Sequence, residues 1–287
     1  MKIAVLLSGQ ARYIELASYW WREKVFPKSF ENIQVDYYCY FWDDGRPNLG
    51  NLIETSFNPV KYEIGDYNIA FHSHRHEIRT TNKELKDFDI VSPFVRNVIC
   101  FEPDDFDNYA YNFPGMYLAS AAVSRMAGTL EGYDWVIKSR SDTVIENITE
   151  EKWLTTFRRM GYANSKLYCP WIQNRTGLAF IGDLAFMGRP DRMHNYLHNI
   201  DRQLVSLATK DKKALSDDTL SSSMGVPYGH WLWAKFSLYS QTDWLGIPVF
   251  IRFSLLREDN LDITTAHYID LERKYIEDGK RKGHPMV

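Results

Sequence analysis

Tyr133-Asp134-Trp135-Val136-Ile137-Lys138-Ser139-Arg140-Ser141-Asp142 decides the fold. It is an apolar run of strand length that passes into a short polar tip, and the tip ends in a carboxylate. Buried parallel strands read as short apolar runs, and open α/β sheets take their ligands outside the carboxyl ends of such strands. A carboxylate two residues beyond an arginine at that point has the reach to meet a divalent cation and the diphosphate it carries.

Working outward, two more segments share this form. Residues 2–8 are an apolar run that ends in Ser8-Gly9-Gln10-Ala11-Arg12, and Val35 to Trp42 is a second run closed by the turn signal Asp43-Asp44-Gly45-Arg46-Pro47. Between them a helical pattern runs from about Tyr13 to Phe26, with Ile14, Ala17, Trp21 and Val25 on one side and Pro27 ending it. Strand, helix and strand with polar tips open a βαβ unit, and right-handed crossovers then build an open, mostly parallel sheet flanked by helices, an α/β fold. The expectation is one domain over residues 1–287, with a variable insertion near 45–112 and a charged helical tail near 265–287.

The remaining elements follow from local patterning. Strands are expected at 59–64 and 97–102, a helix rich in small residues from Asn112 to about Leu130, and a helix opened by Thr149 as N-cap, without a capping box. Leu167 to Pro170 and Leu178 to Met187 read as strands. Pro190 starts a helix to Leu207, Tyr228 to Tyr239 is a Trp-rich helix, and Ile247 to Phe253 is a last strand.

Composition narrows the function. A net charge of -3 on 287 residues leaves no general nucleic-acid footprint. No apolar run approaches the ~18 residues of a membrane span, and the start turns polar too soon for a signal peptide. Cys39, Cys100 and Cys169 lie far apart in strand-like runs, as buried thiols of a reducing compartment do, so a cytoplasmic location is expected. The 9 Trp, 18 Tyr and 16 Phe serve either as core volume or as stacking platforms for sugars and bases.

The segments 2–12, 35–42 and 133–142, with Gly182-Asp183-Leu184-Ala185-Phe186-Met187-Gly188, resemble nucleotide-sugar glycosyltransferases of the GT-A fold. Within these the chain looks most like the group around the WavE lipopolysaccharide-synthesis proteins and their viral relatives. The resemblance implies a sugar moved from a nucleoside-diphosphate sugar to a hydroxyl of a glycan or lipid-linked saccharide, with Mn²⁺ or Mg²⁺ assisting. Such enzymes usually end a central strand in Asp-x-Asp; here Arg140 replaces the first acid. Arg140 would hold phosphate while Asp142 holds the metal, or the two form a plain ion pair.

The resemblance also implies roles for other positions. Ser8, Gly9 and Arg12 would cradle the nucleotide, with an ordinary βα turn as the alternative. Trp42 would stack on the base and Asp43 would accept from its ring N–H; alternatively Asp43 binds its own turn. Tyr117 and Ser120, three apart on one helical face, would stand beside the ribose and diphosphate, or simply pack. Asp183 would address the acceptor or donor sugar, or occupy a turn between short strands. Relatives commonly open a late helix with Pro-Glu; here Pro227-Tyr228-Gly229-His230-Trp231 lacks the acid, and His230 stands nearest as base.

Weaker signals were weighed beside these. Asp217-Asp218 is a rival base pair or a helix cap. Three histidines in Phe71-His72-Ser73-His74-Arg75-His76 share a face if extended, but read as a solvated loop. Arg158-Arg159 and Lys280-Arg281-Lys282 are solvated surface, or a membrane-surface patch near a lipid-linked acceptor. Two other functions fit less well: a sugar nucleotidyltransferase, for which the loop after the first strand is a poor match, and a glycan-binding module without catalysis.

Overall fold

The computed structural model describes residues 1–67, 69–70, 108–146, 148–170, 172–175, 178–181, 184–198, 200, 244–247 and 252–255. At its centre is a mixed, mostly parallel seven-stranded sheet. Strand β1 (Lys2–Gln10) lies between β2 (Gln34–Trp42) and β4 (Trp135–Ser139), parallel to both. Strand β3 (Lys61–Gly65) extends the sheet beyond β2. On the other side β9 (Ala185–Gly188) runs antiparallel to β4 and to β6 (Leu167–Cys169), and β10 (Trp244–Gly246) closes the edge parallel to β6. Two small antiparallel pairs stand apart: β5 (Thr143–Glu146) with β11 (Arg252–Leu255), and β7 (Ile172–Arg175) with β8 (Leu178–Ile181).

The two-residue period of the strands divides the sheet into unlike faces. One carries Ile3, Val5, Leu7, Tyr37, Cys39, Phe41, Trp135 and Ile137 into a continuous apolar core. It is covered by α1 (Ile14–Tyr19), by α2 (Leu49–Phe57) and by α4 (Glu150–Met160), whose N-cap Thr149 accepts from the Lys152 N–H at 3.2 Å, as expected. Part of the aromatic excess lies here. Trp21, Phe26, Trp153, Phe157 and Trp135 form a chain of rings 5.1 to 6.4 Å apart. Two of their indole N–H groups have backbone partners: Trp153 donates to the Val25 carbonyl at 3.1 Å and Trp21 to the Ser141 carbonyl at 3.2 Å.

The other face carries Ala4, Leu6, Ser8, Tyr38, Tyr40, Trp42, Val136 and Lys138. Helix α3 (Asn108–Ala127) packs on it across β1, β2 and β3, and α5 (Pro190–His198) packs beside α3. Among the described residues no helix is long and apolar enough to cross a membrane.

Several expectations need correction. The helix after β1 is α-helical only to Tyr19 and continues as one π turn, Trp20–Val25, closed by Phe26 N–H on the Trp21 carbonyl at 2.9 Å. Such turns are rare inserts in helices, frequent near functional sites. Residues 49–57, read as irregular, form α2 because Leu49, Leu52, Ile53 and Phe57 recur at helical spacing and are all buried. Leu178 to Met187 divides into β8 and β9, which belong to different sheets; of the strand expected over Ile247 to Phe253, Ile247 lies just past β10, Arg252 and Phe253 belong to β11, and 248–251 lie outside the described residues. The expected strand at 97–102, the helix over 228–239 and the tail near 265–287 lie outside the described residues.

Candidate functional site

From β1 the chain builds outward through β2 to β3, then returns to place β4 on the opposite flank of β1. The strand order therefore reverses between β1 and β4, and the loops that leave their carboxyl ends lie side by side. Ligands of open α/β sheets bind at such a reversal. A cavity lies there, lined by residues of both loops together with Trp42, Tyr67 and Met116.

The β1 loop owes its path to Gly9, whose φ of 121° is strained for any residue with a Cβ, although space for one exists. Tyr13, at the start of α1, also takes a left-handed conformation, with φ 51°. Three ties hold this loop beside its neighbours. The Trp21 indole donates to the Ser141 carbonyl at 3.2 Å, which anchors the β4 tip. Ser141 Oγ faces the Gln10 and Arg12 carbonyls at 3.5 and 3.4 Å. Arg46, 8% exposed, donates from Nε to Asp44 at 2.8 and 3.0 Å and from Nη2 to the Ala11 carbonyl, tying the β2 loop to the β1 loop.

The strand period explains which side chains meet the cavity. Ser8 and Gln10 on β1, Trp42 on β2 and Lys138 on β4 share the face beneath α3, and Arg140 and Asp142 follow just past the end of β4. Ser8 is 3% exposed, and its Oγ is buried without a hydrogen-bond partner among the described residues. An orphaned buried hydroxyl costs roughly 1–3 kcal/mol unless something else completes it. Trp42 stands edge-on to Tyr40 and Tyr67, each ring centroid 5.2 Å away. Burial first, then Glu63 and Asp66, push the Tyr40 phenol up to about 12.

Charge in the cavity is uneven. Arg12, Lys138 and Arg140 face a single carboxylate, Asp142, among the described lining residues. Lys138 is 2% exposed, with its ammonium 5.4 Å from the Phe186 ring centroid. Arg140 donates to Asp142 twice, Nε to Oδ1 at 2.8 Å and Nη2 to Oδ2 at 2.6 Å.

Of the positions singled out in the sequence, Ser8, Gly9, Arg12, Trp42, Arg140 and Asp142 come together in this cavity. Others fall elsewhere. Asp43 is exposed and accepts from the Gly45 N–H at 2.9 Å, so it serves its own turn. Tyr117 and Ser120 are buried in α3 away from the lining, and Ser120 Oγ donates to the Met116 carbonyl at 2.6 Å; Met116 is the α3 residue at the cavity. Asp183 and His230, with Asp217, Asp218 and His72 to His76, lie outside the described residues. The sequence reading missed Lys138, although a lysine inside an apolar strand run was visible. It also missed Arg46 and Tyr67, which no local pattern marks.

The Mn²⁺ or Mg²⁺ implied by the resemblance fits poorly. Both ions want several oxygen ligands. Among the described residues the lining offers one carboxylate, its two oxygens already accept from Arg140, and no group of three or more metal-binding side chains occurs. The same donors suit an anion with oxygens on several sides, such as a diphosphate.

A larger recess, about 780 Å³ against about 160 Å³, opens at the amino end of β4. Its main cation is committed: Arg189 donates to the Asp134 carbonyl at 2.8 Å and to Asn164 at 3.0 Å, and lies over the Trp135 ring. Size alone does not make it the site.

No family model and no curated protein matches the chain. Among solved structures it is similar to the apo form of mouse xyloside xylosyltransferase 1, at 11% identity and a TM-score of 0.41, with 96% of this chain and 94% of that one covered. It is also similar to the galactosyltransferase LgtC in complex with donor and acceptor sugar analogues, at 9% identity and a TM-score of 0.42, with 96% of each chain covered. Likeness this distant assigns no reaction.

Proposed function

We propose that this chain is a glycosyltransferase of the GT-A type, which moves a hexose or pentose from a nucleoside-diphosphate sugar to a hydroxyl of a glycan or lipid-linked saccharide. One observation carries the reading: among the described residues, a buried Ser8 hydroxyl without a partner and three cations beside one carboxylate meet at the point where the strand order reverses. The resemblance of segments 2–12 and 133–142 supplies the reaction class.

In this reading Ser8, Gly9 and Arg12 receive the diphosphate from one side, and Lys138 and Arg140 receive it from the other. Trp42 walls the nucleotide. The acceptor oxygen forms a bond to the anomeric carbon as the bond from that carbon to the β-phosphate oxygen breaks. The leaving oxygen keeps the electron pair, and fixed positive charge nearby lowers the barrier. The acceptor proton passes to a base, for which the sequence offers Asp183 and His230. A reducing compartment, the cytoplasm, suits the buried thiols of Cys39 and Cys169.

The test is a thermal-shift panel of UDP-, GDP-, CMP- and dTDP-sugars, followed by assay of sugar release from whichever binds. A ligand at 100-fold over its Kd adds about 2.7 kcal/mol of stability, which moves the melting curve visibly. Silence across the whole panel would end this reading. Pyrophosphate as product would point to a nucleotidyltransferase instead.

A further inference from the structure

Asp142 is the one acid lining the cavity among the described residues, and Arg140 already occupies a lone pair on each of its oxygens. Each oxygen accepts from the Arg140 guanidinium, at 2.8 and 2.6 Å, and the Asp142 side chain is only 7% exposed. A divalent ion would have to share that carboxylate with a guanidinium and sit in the field of Lys138 and Arg12. A diphosphate meets the reverse situation. It brings oxygens to a buried lysine, an arginine already oriented by Asp142, and the Ser8 hydroxyl, which has no partner among the described residues and can donate one hydrogen bond. Lys138 and Ser8 stand on adjacent strands of the same face, since Lys138 pairs with Leu6, two residues before Ser8.

We infer that, given the transferase reading above, the leaving diphosphate is held and neutralised by Lys138, Arg12 and the Ser8 hydroxyl, with Arg140 oriented by Asp142, and without a divalent cation. As the bond to the anomeric carbon breaks, the electron pair settles on a phosphate oxygen already facing fixed positive charge. No proton has to come from the lysine. Asp142 is a positioning residue here, acting through Arg140.

Isothermal titration of the full-length chain with UDP, GDP, CDP and dTDP, in EDTA and in Mn²⁺, decides the matter. The expected result is that the nucleotide which binds does so with affinities within about threefold in the two buffers. Lys138→Met should weaken that binding about tenfold or more in EDTA, the loss of one charge-assisted contact. Should Lys138→Met fail to fold, judged by circular dichroism, the exposed Arg12→Ala carries the same test. Asp142→Asn should keep the two affinities equal, because the amide oxygen still accepts from Arg140. Binding that vanishes in EDTA, returns with Mn²⁺ and is lost in Asp142→Asn would overturn the inference while leaving the transferase reading in place. If no nucleotide binds in either buffer, both fall.

Discussion

The guanidinium of Arg140 spans both oxygens of Asp142 with only Ser141 between them in the chain, at 2.8 and 2.6 Å. Ser141 in turn offers its carbonyl to the Trp21 indole, so the pair stands on a tip pinned from behind. With side chains 25% and 7% exposed, it lies between a surface pair, worth under about 1 kcal/mol, and a buried one, where loss of a partner costs about 3–5. Asp142→Ala should therefore destabilise the fold by about 2 kcal/mol in urea denaturation. A double-mutant cycle with Arg140→Ala should give a coupling of about 1 kcal/mol. Coupling indistinguishable from zero would make the pair incidental.

Ser8→Ala separates a ligand contact from a structural one. The hydroxyl has no partner among the described residues, so its removal should leave stability unchanged or raise it by about 1 kcal/mol, while nucleotide affinity falls about fivefold. A destabilised variant with undiminished affinity would assign the hydroxyl to the scaffold.

Trp153 joins Phe26 and Phe157 in the ring chain, with centroids 5.1 and 5.2 Å away, and is fully buried. Trp153→Ala should cost about 3–5 kcal/mol, from the lost apolar area and the void left behind. Trp153→Phe should cost less, and its residual loss would include the bond to the Val25 carbonyl. Equal losses for the two variants would contradict the stacking account.

Alkaline pH should unfold the protein through its buried phenols. Burial raises Tyr37, Tyr133 and Tyr168, and burial with Glu63 and Asp66 raises Tyr40 from 10.0 to about 12. Above pH 10 the unfolded chain loses phenolic protons that the folded chain keeps. The folded state then binds more protons, so stability falls as pH rises. Tyr40 contributes in full below pH 10 and loses its contribution as pH climbs toward about 12. Urea midpoints measured from pH 8 upward should hold level to about pH 9.5 and then decline. A curve still flat at pH 12 would remove the argument.

Much of this architecture was legible in the chain. The runs that became β1, β2 and β4 are apolar, strand-length and abruptly polar at one end, and that abruptness located the crevice before any coordinates. Helix α2 was hidden by its brevity and by the polar stretch around it, although its buried positions follow the helical period. The division of 178–187 into strands of two sheets was foreshadowed only by Gly182-Asp183, because pairing partners are set by tertiary packing rather than by local pattern. Whether Arg140 and Asp142 meet was left open by the sequence, and the distances show that they do. Lys138 shows the opposite lesson: the signal was present, but an eye set on carboxylates passed over a cation.

Arg46 joins Asp44 to the Ala11 carbonyl, and so the segments after β1 and β2 form one mechanical piece. Transplanting residues 8–12 alone into another chain would carry the loop without the strut that Arg46 provides. Exchange of both segments, 8–12 together with 42–46, is the smallest module that should keep its shape in a foreign scaffold.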